Sequence, residues 1–271
     1  MFVAIIIFVL GLTIGSFLNV LTYRLPKGLD FVVGRSKCQK CSHVLAWLDI
    51  IPLFSFTFLK GRCRYCKRSI SKRYFFVEIL TGLLFLTLFI LQQPDSLYGY
   101  LDLSFWLFIS STLLVLAFID LDYFIIFDKI LLVLFVVGLA YQFLRGYVFW
   151  LEPAVVGGSL NISHNLLTAF LSFAIFLLIF LVTKGKGIGM GDIKLFFVLG
   201  FLFGFPAILV IVYIALIAGM VWGLALILFF GASMKSRVAF GFVLANAAIV
   251  FILFSQFLIT KFTPYVIRLY L

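Results

Sequence analysis

The chain has 271 residues, of which 65% are hydrophobic and 11% charged, and its mean hydropathy is +1.27. Soluble domains carry about a quarter of their residues as charges, so this composition excludes a water-soluble globular protein and requires a polytopic membrane one. The formal net charge of +11 would suit a nucleic-acid partner, yet 12 of the 21 Lys and Arg residues and only two acids, Asp30 and Asp49, fall in the segment 24–73. That segment alone is +10 and the remainder +1, which points to one cytoplasmic loop drawn to anionic lipid heads, and to no nucleic acid.

In chain order, apolar runs approaching a bilayer crossing of about 20 residues occur at 2–20, 74–91, 103–119, 124–143, 166–182, 193–210, 212–230 and 238–259. The first has no Lys or Arg over 1–9, so it lacks the n-region of a cleaved signal peptide and is expected to stay as an anchor. The sixth and seventh runs are nearly continuous, with Phe203-Gly204-Phe205-Pro206 and Tyr213 as candidate breaks. The fold class is therefore an all-α polytopic membrane bundle of about eight transmembrane helices with a small cytoplasmic loop domain. The expected division is 1–23 as the first transmembrane helix, 24–73 as the basic loop domain and 74–271 as the remaining membrane domain.

Placing 24–73 in the cytoplasm by the positive-inside rule sets the N-terminus outside. Lys184, Lys186, Lys235 and Arg237 then return to the inside, while Arg145, Lys261 and Arg268 are left outside. In this topology Asp120 ends the third helix and Asp192 begins the sixth, both at the cytoplasmic face. A charge at the bilayer centre costs at least about 2.5 to 3.5 kcal/mol, so depth alone also permits two solvated aspartates.

All four cysteines lie in the basic loop, as Cys38-Gln-Lys-Cys41 and Cys63-Arg-Tyr-Cys66. Two C-x2-C pairs at this separation have the spacing of a tetrahedral thiolate zinc site. Neighbouring Lys37, Lys40, Arg62, Arg64 and Lys67 favour thiolates and offset their charge. Two disulfides are the alternative, disfavoured in a reducing cytoplasm. Four protein ligands leave no open position for water, so the metal is expected to be structural; His43 is a further candidate ligand, or a surface histidine.

Ile119-Asp120-Leu121-Asp122 and Gly189-Met190-Gly191-Asp192 are the acidic motifs. Acid proteolysis needs one carboxylate to take a proton from water and another, protonated, to polarise the scissile carbonyl; two close aspartates divide those roles because both cannot ionise easily. Gly189 and Gly191 would let backbone approach a substrate or adopt angles barred to other residues. Taken alone, the glycine motif also reads as a flexible lead-in with Asp192 capping a helix. Asp122 and Asp128 read as solvated or capping. Glu78 sits inside an apolar run, which marks it as a functional candidate, against a snorkelling or lysine-paired glutamate.

Taken together these motifs resemble the bacterial type IV prepilin leader peptidases, among the Gly-x-Gly-Asp membrane aspartic proteases. The resemblance rests on Gly15-Ser16-Phe17-Leu18-Asn19-Val20 with Tyr23-Arg24-Leu25-Pro26, both cysteine pairs, Ile51-Pro52 through Gly61-Arg62-Cys63, Ser71 to Glu78, Thr81-Gly82, Ile119 to Asp122, and Gly189 to Leu195. It implies Asp120 and Asp192 as the catalytic pair, prepilins and pseudopilins as substrates, and cleavage after a glycine on the cytoplasmic side of the bacterial inner membrane. It also implies methylation of the new N-terminus with S-adenosylmethionine, for which spacing assigns no pocket. Asp30, Asp49 and Glu78 become candidates to receive a basic leader, and Glu78 and Asp49 also to support the site.

The chain departs from the family pattern at Phe127-Asp128 and at Ala239-Phe240-Gly241-Phe242. Neither change is expected to touch the aspartates, although both bear on where the fourth and eighth transmembrane helices start. Two other classes compete: a cation- or proton-coupled transporter, which would want carboxylates near the midplane on broken helices, and a zinc-loop scaffold without chemistry. Asn161-Ile162-Ser163 matches a glycan acceptor but is read as chance.

Overall fold

The computed structural model describes residues 2–31, 34–148, 162–185, 187–231 and 238–267. Asn161, Lys186, Lys235, Arg237 and Arg268, named above, lie outside them. Among the described residues the regular elements are helices: α1 Phe2–Arg24, α2 Phe54–Phe58, α3 Lys72–Gln92, α4 Leu97–Tyr123, α5 Asp128–Val148, α6 Ile162–Val182, α7 Met190–Phe203, α8 Ala207–Phe230 and α9 Phe240–Ile267. Extended pairing is confined to the isolated bridges Lys37 with Val44 and Arg62 with Ser69.

Each apolar run is helical, and α1, α3, α4, α6 and α8 are long and apolar enough to cross a membrane. The protein is a multi-pass membrane protein. The sixth run stops at Phe203 because Gly204 takes a left-handed φ of 65° and Pro206 has no N–H to continue the ladder. The alternative break at Tyr213 is not realised: the residue lies within α8, where an ordinary backbone N–H and an unstrained φ give the helix no reason to end. The departures from the family pattern coincide with helix starts, α5 at Asp128 and α9 at Phe240.

The chain divides into two compact units, Met1–Ser111 and Thr112–Leu271. In the first, α1 packs along α3 through small residues. A Cβ on Gly11 would stand 2.8 Å from Gly82 Cα, and one on Gly15 would stand 2.8 Å from Glu78 Cα. Close backbone approach of this kind is how helices associate in lipid, where burying apolar area against apolar lipid gains little.

In the second unit α7 is central, packed against α5, α6, α8 and α9. Its 14 residues rise about 21 Å, short of the roughly 30 Å hydrocarbon core. It is instead enclosed by protein: Ile193, Leu195, Phe196, Leu199 and Phe201 have no solvent-accessible surface. Phe196 stacks on Phe176 of α6 with centroids 3.4 Å apart, and Gln142 Nε2 of α5 donates to the Phe201 carbonyl at 2.9 Å. This enclosure determines where the N-terminal end of α7, and hence Asp192, stands.

Candidate active site and metal centre

Asp120 closes the apolar part of α4 and is buried, 5% exposed. A carboxylate near the C-terminal end of a helix faces the negative end of that helix's dipole. The compensation comes from α9. The Phe242 backbone N–H donates to Asp120 Oδ2 at 2.9 Å, and Gly241 lies close against the same carboxylate. Both belong to the first turn of α9, whose N–H groups lack partners within their own helix. The expectation that the Ala239–Phe242 departure would leave the aspartates untouched is therefore corrected: this segment binds Asp120 directly.

Asp192 occupies the third position of α7 and reaches back to the Gly189 N–H at 3.1 Å. This is the returning half of a capping box, with Gly189 as the capping residue. Neither Gly189 nor Gly191 has a positive φ, so the freedom that matters at Gly191 is steric: a Cβ there would lie 2.9 Å from Ile126 Cβ. A Cβ on Gly241 would lie 2.8 Å from Ile126 Cδ1 and 2.9 Å from Asp120 Oδ2. Ile126 is thus wedged between the two glycines, drawing the start of α7, the start of α9 and the end of α4 around one residue. The carboxylates of Asp120 and Asp192 are close enough to interact electrostatically.

As a general rule, where two carboxylates stand close together the state in which they share one proton is favoured over the doubly charged one. A pair in that state has one acceptor for a water proton and one donor for a carbonyl oxygen, the requirements of general acid–base hydrolysis. Asp128, expected to be solvated or to cap, takes a partner: Lys194 Nζ lies 2.8 Å from both its carboxylate oxygens. Both side chains are largely exposed, so this pair contributes at most about 1 kcal/mol. It ties α5 to α7 beside the site.

Glu78 and Asp49 belong to the first unit. Glu78 Oε2 accepts the Leu53 N–H at 2.9 Å, which replaces the expected lysine pairing or snorkelling. Asp49 Oδ1 meets Arg64 Nε at 2.7 Å, and its Oδ2 accepts the Ala46 N–H at 3.1 Å. Both acids brace the basic loop. Sequence reasoning missed Ile126, Gly241 and Phe242; the sole available signal was the departure from family pattern at 239–242, which alone does not say what that segment touches.

The loop is built from two matching knuckles. In the first, the Cys38 N–H donates to the His43 carbonyl and the Ser42 N–H to the Cys38 carbonyl, at 2.9 and 2.8 Å; in the second, the Cys63 N–H donates to Arg68 and the Lys67 N–H to Cys63, at 2.9 and 3.0 Å. Ser42 and Lys67 both take positive φ, 59° and 57°, so each hairpin turns in the same way and presents its two thiols inward. The four sulfurs all lie within 4.8 Å of one another, and Cys38 and Cys66 are 4.0 Å apart. A tetrahedral site with bonds of about 2.3 Å sets sulfur–sulfur separations near 3.8 Å, so the four cysteines are positioned to bind a metal ion. His43 lies against Tyr65, centroids 3.6 Å apart and rings tilted by 35°, outside this cluster.

Charge repulsion shows why the cluster suits a cation. Burial pushes the Cys38 thiol up, but hydrogen bonds from the Lys40 and Cys41 backbone and from neighbouring thiols outweigh it and bring it down to about 7. Cys41 has a favourable backbone bond from His43, yet desolvation and the sulfurs of Cys38 and Cys66 push it up to about 11. Without a cation, four such thiols cannot all ionise.

Residues 9–92 match the model of the bacterial peptidase A24 N-terminal domain, and residues 107–224 that of the type IV leader peptidase family. The chain is similar to the prepilin leader peptidase/N-methyltransferase of Aeromonas salmonicida strain A449, at 32% identity over 269 residues, spanning 89% of this chain and 87% of that protein. The chain belongs to the type IV leader peptidase family. Relatives of the same description include one from Klebsiella pneumoniae, 36% identical over 209 residues, spanning 74% of this chain and 86% of that protein. Another, from Myxococcus xanthus strain DK1622, is 55% identical over 82 residues, 30% of this chain and 24% of that protein. No solved structure matches. As a leader peptidase the chain is an enzyme.

The wedge around Ile126 has a measurable consequence. Gly241→Val in this leader peptidase is expected to lower kcat/KM by at least about tenfold, equivalent to about 1.4 kcal/mol of transition-state stabilisation, while the protein still accumulates in membranes. Unchanged kcat/KM would show that the contact of α9 with Asp120 does not matter to the reaction.

Proposed function

We propose that this leader peptidase is a membrane aspartic endopeptidase that removes the basic leader from type IV prepilins and pseudopilins, with Asp120 and Asp192 as its catalytic pair. The observation that carries the reading is geometric: Ile126 lies against Gly191, next to Asp192, and against Gly241, which itself abuts Asp120 Oδ2, so the ends of α4 and α7 are drawn to one place. One carboxylate takes a proton from water, whose oxygen attacks the scissile carbonyl carbon; the other, protonated, donates to the carbonyl oxygen. Collapse of the tetrahedral intermediate breaks the C–N bond and the departing amine takes up a proton.

A prepilin has an apolar helix that stays in the bilayer and a basic leader that stays in water. Its scissile bond, after a glycine, would lie in an extended segment at the cytoplasmic face of the bacterial inner membrane, at the depth of the two aspartates. Gly189 and Gly191 keep side chains away from this approach. Glu78 and Asp49, each already engaged in the loop, act as supporting residues. The assignment of 24–73 to the cytoplasm, between a first transmembrane helix at 1–23 and a peptidase domain at 74–271, follows from the charge of the loop.

We infer that Cys38, Cys41, Cys63 and Cys66 hold a structural zinc ion. Its chemistry is to neutralise the thiolates and join the knuckles. Methylation of the new N-terminus with S-adenosylmethionine is a second proposed activity, supported by the names of the relatives. The groove of about 420 Å³ lined by Phe135, Phe170, Phe173, Phe197 and the Asp128–Lys194 pair does not fit that donor, because it offers a polar nucleoside only one ion pair.

Purified full-length enzyme incubated with a prepilin and S-adenosylmethionine is expected to yield a product that has lost its leader, read by intact mass, with one further methyl mass if the transferase is present. An uncut prepilin would contradict the peptidase; a cut, unmethylated one would remove only the transferase. Elemental analysis is expected to find zinc at one per chain. Cys63→Ser should lose the metal and lower the unfolding midpoint, and full zinc retention by that variant would rule out the four-thiolate site.

A further inference from the structure

Helix α2 carries three phenylalanines inside a loop whose net charge is +10. They divide between two faces. Phe56 turns inward, its ring 5.2 Å from that of Phe75 at the start of α3 and 3.0 Å from where a Gly61 Cβ would stand. Phe54 and Phe58, one turn apart, stack on the other face with centroids 6.4 Å apart and are 61% and 82% exposed. An exposed pair of aromatic rings in so polar a segment marks a surface made to be covered.

What covers it follows from depth. Leu53 stands at the head of α2 with φ 60° and donates its N–H to Glu78 Oε2 at 2.9 Å. Glu78 lies six residues beyond Lys72, where α3 begins. At 1.5 Å per residue, α2 is pinned about 9 Å along α3 from its start. Because α3 is apolar enough to cross the membrane, that level is the boundary of headgroups and acyl chains, where amphipathic helices lie. On α3 itself, Phe76 is exposed close to this level. Exposed Lys60 and Arg62 follow the aromatic pair within four residues and carry charges that suit anionic headgroups.

We propose that α2 is an interfacial anchor: Phe54 and Phe58 insert into the lipid surface of the membrane that α1 and α3 span, and the cations that follow them bind acidic headgroups. The anchor adds a lipid contact to a loop that the Leu53–Glu78 hydrogen bond already ties to α3. The basic leader of a prepilin is repelled by these cations, so lipid is the occupant that the charges favour.

The test uses the full chain in vesicles of phosphatidylethanolamine and phosphatidylglycerol, with p-benzoyl-phenylalanine replacing Phe54, Phe56 or Phe58 in turn. After irradiation, positions 54 and 58 are expected to gain the mass of one phospholipid, enriched in phosphatidylglycerol over its share of the vesicle, and the inward position 56 to crosslink within the chain. Absence of lipid adducts at 54 and 58 in protein that keeps its metal and cleaves a prepilin would overturn the proposal, as would adducts that form only to added prepilin. In the unmodified chain, amide hydrogen exchange over 54–61 is expected to slow several-fold in these vesicles relative to vesicles without phosphatidylglycerol. Equal rates would overturn the role of the cations.

Discussion

The first turn of α9 holds the carboxylate of Asp120, and the geometry of the candidate site depends on that contact. Asp120 sits at the C-terminal end of α4, where the helix dipole opposes a negative charge by roughly 0.3 to 1 kcal/mol. The N–H of Phe242 would otherwise be an unsatisfied helix-end donor. Each defect resolves the other, and the cost of burying a lone carboxylate in a membrane protein is reduced by charge-assisted hydrogen bonds. A side chain at 241 would collide with Asp120 Oδ2 and with Ile126, so the arrangement requires glycine at that position for space rather than for backbone freedom.

Asp192 reaches the same neighbourhood by a different route. Helix α7 is too short to cross a bilayer and is enclosed by four other helices, so its N-terminal end is fixed by aromatic packing such as Phe196 on Phe176. Gly191 allows Ile126 against the helix backbone, and Ile126 touches both glycine positions. Rigid placement of this kind suits catalytic carboxylates, whose reach to a reacting atom is limited to hydrogen-bond distance. The metal-binding loop follows the same logic of paired constraints: two hairpins with matching backbone bonds and a cross-brace from Asp49 to Arg64.

Much of this was legible beforehand, for reasons that differ by feature. Lipid demands long apolar helices, so the eight runs appear directly in composition, and Pro206 marks the break between α7 and α8. Thiolate ligation needs a fixed spacing within each knuckle, so Cys38, Cys41, Cys63 and Cys66 identify themselves, and the sulfur cluster agrees. Tyr213 misled because a polar ring in an apolar run resembles an end, although nothing in its backbone ends a helix. Phe242 could not be connected to Asp120 because the two lie 122 residues apart and a backbone N–H leaves no trace in residue type. The bond from Leu53 to Glu78 was hidden for the same reason, and with it the depth of α2.

The claim that two carboxylates together perform the cleavage is tested most directly by isosteric replacement that removes charge and proton but little shape. Membranes containing Asp120→Asn or Asp192→Asn protein, matched to wild type in amount, would be assayed for leader release from a prepilin. Each single substitution is expected to abolish release while the protein accumulates normally. Full activity in either variant would contradict a two-aspartate site.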